Sequence, residues 1–197
     1  MTPEIVQAGA LVLRDRAVEV APEAIGSPEM QALVTTMIET MRGAPGVGLA
    51  APQIGVPLRV IVVEDKPEYT ARVHENERKL KLREPLPLRV LFNPVLRHVG
   101  DSKVTFFEGC LSVAGFSALV ERSLEVEVEG LDENGAPQTL RARGWAARIF
   151  QHECDHLDGT LYVDRMLTRS FSVMSNMITY AGKSTDDVRE MLRIARG

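Results

Sequence analysis

Cysteine is scarce in this sequence, with two residues in 197. So few cannot build a disulfide framework, and they fit a reducing compartment better than an oxidising one. Long apolar runs are missing as well: none reaches the roughly 18 residues that a membrane span needs. Residues 1–10 lack the charged start and apolar stretch of a signal peptide. A large charge of either sign is absent, since the formal net charge is −4. That balance speaks against direct binding of nucleic acid or an anionic membrane. There is no internal repeat and no low-complexity tract. What is left is an ordinary globular composition, long enough for one full core, so residues 1–197 are expected to form a single domain.

The most informative stretch runs from Gly144 to Gly159, GWAARIFQHECDHLDG. It contains His-Glu-x-x-His, with His152 and His156 four residues apart. On a helix those imidazoles lie about 40° apart on one face, where two nitrogens can bind one metal ion. Glu153 sits beside them as a proton carrier, and the two glycines bracket the helix. Measured from His152, Trp145 falls at about +20°, Ile149 at about +60° and Arg148 at about −40°. An apolar surface beside a metal suggests a pocket for an apolar side chain. Cys154, near 200°, faces the core. Two histidines and a glutamate also arise by chance as surface or core residues, so the pattern needs a second witness.

That witness is a third protein ligand. No histidine follows Gly159, and the later acids are Asp164, Asp186, Asp187 and Glu190. His74 lies in a charged stretch and His98 after a strand, neither within a motif. Cys110 does have one, FEGCLS, in which Gly109 permits close backbone approach and a thiolate is a strong soft ligand. A buried structural cysteine is the plain alternative.

The rest of the chain supplies a frame. Ser27 caps a helix that starts at Pro28 and ends at Gly43, with Met30, Leu33, Val34, Met37, Ile38 and Met41 on its buried face. This helix is expected to pack near the metal helix. Gly43, Gly46 and Gly48 mimic a phosphate-cradling loop, but they follow a helix and precede a strand, Leu58 to Glu64. What remains is a loop whose backbone can approach a ligand. Gln53 reads equally as a loop-stabilising amide or as a donor aimed at a reacting oxygen. Residues 65–87 are charge-dense and broken by prolines, which predicts a solvated insertion with a short helix near 74–82 and an idle His74. Strands are expected at 88–92, ended by Asn93-Pro94, at 104–107 and at 123–129, the last paired with 138–143 through the turn 132–135. A C-terminal helix is expected over 184–197, with Arg189, Arg193 and Arg196 toward its end. The fold class that follows is α+β, with mainly antiparallel strands around a central metal-binding helix and a helix near each terminus.

Three stretches resemble the three signature motifs of peptide deformylase in order and spacing: GVGLAAPQ at 46–53, EGCLS at 108–112 and QHECDHLDG at 151–159. The similarity runs from about residue 4 to about residue 170. It implies that Cys110, His152 and His156 hold one divalent metal and leave a position for water. The implied working metal is Fe2+; Zn2+, Ni2+ and Co2+ also suit the donor set. The implied reaction removes the N-formyl group from the initiator methionine of nascent polypeptides and releases formate. In that scheme Glu153 carries a proton from water to the departing amine, while the Gln53 side chain and the Leu111 backbone N–H donate to the oxyanion. The methionine side chain would rest against Trp145 and Ile149, beside Arg148, with Val47 and Phe106 closing the pocket. The formyl-Met peptide would lie as an added strand near Gly48 and Gly109. Docking of the C-terminal helix on the ribosome near the exit tunnel is a further implication.

The sequence departs from the family pattern at a few places. Ala114 stands where many bacterial members have Pro, and Trp145 and Arg148 replace commoner aliphatics. The Val-Ala-Gly-Phe (113–116) and Gly-Trp-x-Ala-Arg (144–148) strings resemble the organelle-type branch and its bacterial relatives. The implied location is the cytoplasm for a bacterial chain, or the mitochondrial matrix or plastid stroma after removal of a transit peptide. Two other classes make different demands. A zinc peptidase needs a third His or Glu ligand downstream; a non-catalytic metal-binding protein needs a closed fourth position and tolerates Glu153→Ala.

Overall fold

A computed structural model of the chain describes residues 3–44, 46–180 and 182–195. In chain order the elements are α1 (Pro28–Gly43), β1 (Gly48–Ala50), β2 (Val60–Asp65), α2 (Pro67–Ala71), α3 (Glu75–Leu80), β3 (Leu86–His98), β4 (Lys103–Cys110), β5 (Val113–Ser123), β6 (Glu125–Leu131), β7 (Pro137–Arg143), α4 (Trp145–Leu157), β8 (Ser172–Val173) and α5 (Thr185–Met191). The strands form a five-stranded sheet, β1-β2-β3-β6-β7, and a three-stranded sheet, β4-β5-β8. Every strand pair is antiparallel. The fold is α+β, as the sequence predicts.

The apolar run of β2 explains the layering. Val60, Ile61, Val62 and Val63 are all fully buried, the mark of a strand covered on both faces. Because side chains alternate, Val60 and Val62 join Met30, Val34, Met37 and Met41 of α1, whereas Ile61 and Val63 join Ala147, Phe150 and Leu157 of α4. The expectation that α1 packs near the metal helix is therefore corrected: the sheet lies between them. α1 itself starts as expected, with the Ser27 hydroxyl accepting from the Met30 N–H at 3.3 Å.

Other boundaries differ from the sequence reading. Asn93-Pro94 does not end a strand. β3 runs through it to His98, and its register against β6 shifts between Phe92 and Val95. Asn93 takes φ +50° at that irregularity, and its side chain bonds both the N–H and the carbonyl of Val20, at 2.9 and 2.8 Å. Such a bulge adds a residue to a strand without ending it. His74 is not idle, since its Nδ1 accepts from the Asn76 N–H at the start of α3. The C-terminal helix is shorter than expected: α5 stops at Met191, Arg193 lies beyond it at φ +53°, and Arg196 lies outside the described residues. α5 is seated on β4, with Val188 buried and the Thr185 hydroxyl donating to the Thr105 carbonyl at 2.9 Å. Among the described residues no helix is long and apolar enough to cross a membrane.

Candidate active site

Both ends of α4 are fixed by glycine. Gly144 precedes the helix at φ +63°, and a Cβ there would lie 2.5 Å from the Leu82 Cβ. Gly159 follows it at φ +71°, and a Cβ there would lie 2.3 Å from the Arg14 carbonyl oxygen. A side chain at either place meets backbone or packed carbon in a conformation that disfavours one anyway. Between these stops, the four-residue spacing holds the His152 and His156 rings 5.0 Å apart. Cys110, at the end of β4, meets them: its Sγ lies 3.2 Å from His156 Nε2, and ligand atoms of all three residues lie within 4.8 Å of one another.

This donor set fits a divalent metal. Sulfur and nitrogen ligands at about 2.3 and 2.0 Å from a shared ion sit about 3.5 Å apart in a tetrahedral arrangement, close to the observed Sγ–Nε2 separation. The other nitrogen of His152 is already engaged, with Nδ1 3.0 Å from Glu108 Oε2, which leaves Nε2 for the metal. Glu108 is in turn gripped by Arg122 through two bonds of 3.0 Å and by Arg148 at 2.5 Å. Burial opposes ionisation of Glu108, but His152 and Arg122 hold its carboxyl well below the usual range.

Glu153 lies beside the triangle, buried, with Oε2 lacking any hydrogen-bond partner among the described residues. Burial raises its pKa to about 7. It occupies space that only glycine leaves open, because a Cβ on Gly48 would come within 2.2 Å of Glu153 Oε1. Gln53 is a loop-stabilising amide whose Nε2 also reaches the cysteine motif. Its Oε1 accepts from the Ala50 N–H at 2.9 Å, stapling the loop, while its Nε2 donates to Ser112 Oγ at 3.2 Å and lies 3.6 Å from Cys110 Sγ. The N-terminal arm braces this loop. The Val6 N–H bonds the Gln53 carbonyl, the Ala8 N–H bonds the Ser112 carbonyl, and the Gln7 amide bonds both the Leu111 carbonyl and the Ala114 N–H.

A cleft of about 490 Å³ opens over these groups. Val47, Gly48, Gly109, Leu111, Trp145, Arg148 and Ile149 all border it. Phe106 does not. It shares a face of β4 with Glu108, but the Arg148 guanidinium lies 5.2 Å from its ring, and it lines a separate cavity with Met177 and Tyr180. Arg148 is 2% exposed and is tied to Glu108 and to the Val104 and Val120 carbonyls, so it serves the wall more than the opening. The sequence reading missed Glu108 and Arg122 as supports, and Arg83, Phe116 and Met174 as cleft residues. Only Glu108 carried a signal, its place in the cysteine motif. Cys154 is buried in the core cluster on the far side of α4, and burial pushes its thiol up to about 12.

Residues 2–171 match the family model described as polypeptide deformylase. The chain is similar to the chloroplastic peptide deformylase 1A of Solanum lycopersicum, with 53% identity over 89% of this chain and 63% of that protein. It is similar to the mitochondrial peptide deformylase of Homo sapiens, with 45% identity over 85% of this chain and 69% of that protein. Among solved structures, the Met-Ala-Ser-bound class I type b peptide deformylase of Acinetobacter baumannii superposes with a TM-score of 0.74 at 31% identity, covering 84% of this chain and 99% of that one. The chain thus spans under two thirds of the tomato relative's length.

Proposed function

The chain belongs to the polypeptide deformylase family, and on that premise we propose that it removes the formyl group from the N-terminal methionine of new polypeptides. One observation carries the reading: a sulfur and two imidazoles converge within 4.8 Å beside a buried carboxylate with a free oxygen, at the floor of a peptide-sized cleft.

Cys110, His152 and His156 would hold the metal, which when bound supplies the Lewis acidity that makes water reactive near neutral pH. We take Fe2+ as the working metal; the thiolate and imidazoles also admit Zn2+, Ni2+ or Co2+. The protein's own groups do the rest. Glu153 accepts a proton from the attacking water and delivers it to the amine nitrogen as the formyl C–N bond breaks, leaving formate and a free N-terminal methionine. Gln53 Nε2 and the Leu111 N–H donate to the formyl oxygen as charge builds on it. β1 and β4 end their sheets and both border the cleft, so the peptide joins as an added strand near Gly48 and Gly109. Its methionine side chain rests against Trp145, Ile149 and Val47. The Met-Ala-Ser held by the Acinetobacter relative is what this reaction leaves from formyl-Met-Ala-Ser.

Such a substrate exists where translation starts with formyl-methionine, in the bacterial cytoplasm, the mitochondrial matrix or the plastid stroma; the relatives include chloroplastic, mitochondrial and bacterial proteins. Docking at the ribosomal exit would use the C-terminal end of the chain, where Arg193 and Arg196 follow α5. Truncation after Met191 tests this, since Thr185 and Val188 keep the helix seated; unchanged ribosome co-sedimentation would remove the idea. The reaction itself is tested by formate release from formyl-Met-Ala-Ser with ferrous enzyme, beside unformylated peptide and Glu153→Ala. Release by the parent alone supports the reading. Cleavage of unformylated peptide bonds, or no release at all, overturns it.

A further inference from the structure

The chain has a single tryptophan, and it is a wall of the cleft. Residues 81–83, at the far end of the charged insertion, grip it, and Arg83 itself also lines the cleft. Lys81 Nζ lies 4.6 Å from the Trp145 ring centroid. The Arg83 guanidinium carbon lies 5.2 Å from it. The insertion's backbone fills the space beside Gly144, where a Cβ would lie 2.7 Å from the Lys81 carbonyl oxygen. Both cations have fixed mounts. Arg83 makes two bonds of 2.8 and 3.0 Å to buried Asp65, which clasps the two ends of the excursion together. Lys81 is tied to Glu77 at 2.6 Å. Their side chains are only 15% and 13% exposed, where a cation over an aromatic face holds more firmly than in open water.

We propose that Lys81 and Arg83 are positioning residues that immobilise the Trp145 ring and so set the width of the pocket for the substrate's first side chain. The proposal rests on the reading of the cleft given above. Trp145 and Ile149 stand one turn apart on α4 and share the apolar stripe that faces the cleft. An indole held by two cations cannot swing away from that stripe, so the gap admits a slim, unbranched side chain and resists a bulky ring. On this view the insertion is a specificity wall.

Lys81→Met keeps the packing of the stem and removes the charge; Lys81→Arg restores a cation. Arg83→Lys, which keeps a charge for Asp65 but withdraws the planar group, is the second arm. The first readout is the ratio of kcat/KM for formyl-Met-Ala-Ser over formyl-Phe-Ala-Ser. In Lys81→Met it should fall about three- to tenfold, chiefly through KM, the scale of one lost cation–aromatic contact. Arg83→Lys should move it the same way, and Lys81→Arg should restore it. The second readout is acrylamide quenching of the lone tryptophan, with and without Met-Ala-Ser. It should rise in Lys81→Met and return in Lys81→Arg. Quenching needs no turnover, so it decides the grip even if the parent releases no formate. Unchanged selectivity and unchanged quenching in folded Lys81→Met and Arg83→Lys would overturn the proposal.

Discussion

Two cavities flank α4, about 490 Å³ in front and about 560 Å³ behind. The rear one is larger and more highly charged, yet its charges are closed on each other. Arg59 pairs with Asp158 at 2.7 Å, Arg122 with Asp155 at 2.5 Å, and Arg165 with Asp155 at 2.7 Å. In front, three atoms that could hold a metal converge and a buried carboxylate oxygen lacks a partner among the described residues. A cavity whose polar groups are already satisfied has little to offer a ligand; one that keeps a few unsatisfied at fixed positions can do chemistry. The two are nevertheless joined. Arg122 faces the rear cavity and also grips Glu108, which orients His152 in front. The rear therefore acts as scaffold for the front.

The largest effect should come from the front. Cys110→Ala should bring bound metal and formate release to background, measured by elemental analysis and the release assay. Full metal retention would break the assigned triangle. Next, Glu153→Gln should keep the metal while kcat falls about 10²- to 10⁴-fold, the usual contribution of a positioned proton carrier. Near-parental turnover in a metal-loaded sample would remove Glu153 from that role.

Arg122→Met tests the link between the cavities. Breaking a buried charge pair costs about 3–5 kcal/mol, to be read by denaturant unfolding. Loosening the support of a ligating histidine should weaken metal binding about 10- to 100-fold. Unchanged metal affinity would show the two sides to be independent. The smallest effect belongs to Arg165→Ala. Its side chain is 48% exposed, so the change in stability should stay below about 1 kcal/mol, with formate release unchanged. A clear loss of activity there would give the rear cavity a part in the reaction.

The helices were the most legible parts of the fold. Ser27-Pro28 and the methionine stripe mark α1, and the two glycines mark α4, because caps and helical spacing are local signals. β5 was not seen. Ser117, Ala118, Leu119 and Val120 are all buried in succession, so no two-residue alternation betrays the strand. The metal donors were readable for the same local reason, with two histidines one turn apart and a cysteine in a short motif. Their support was not. Glu108 sits on β4, Arg122 on β5 and Arg148 on α4, and only strand register and packing bring them together. The insertion is mostly exposed, as its charge suggests, but composition could not show that Lys81 and Arg83 hold their charged ends over an aromatic ring.

The arm that precedes α1 sets a practical limit on how this protein can be handled. Its backbone and one amide lace residues 6–8 to the segments carrying Gln53, Leu111, Ser112 and Ala114. An affinity handle or a maturation cut upstream of Val6 leaves that lacing whole. One that removes Ala8 would leave the core of the molecule standing while the Gln53 loop and the cysteine motif lose their brace, giving a protein that purifies well and works poorly.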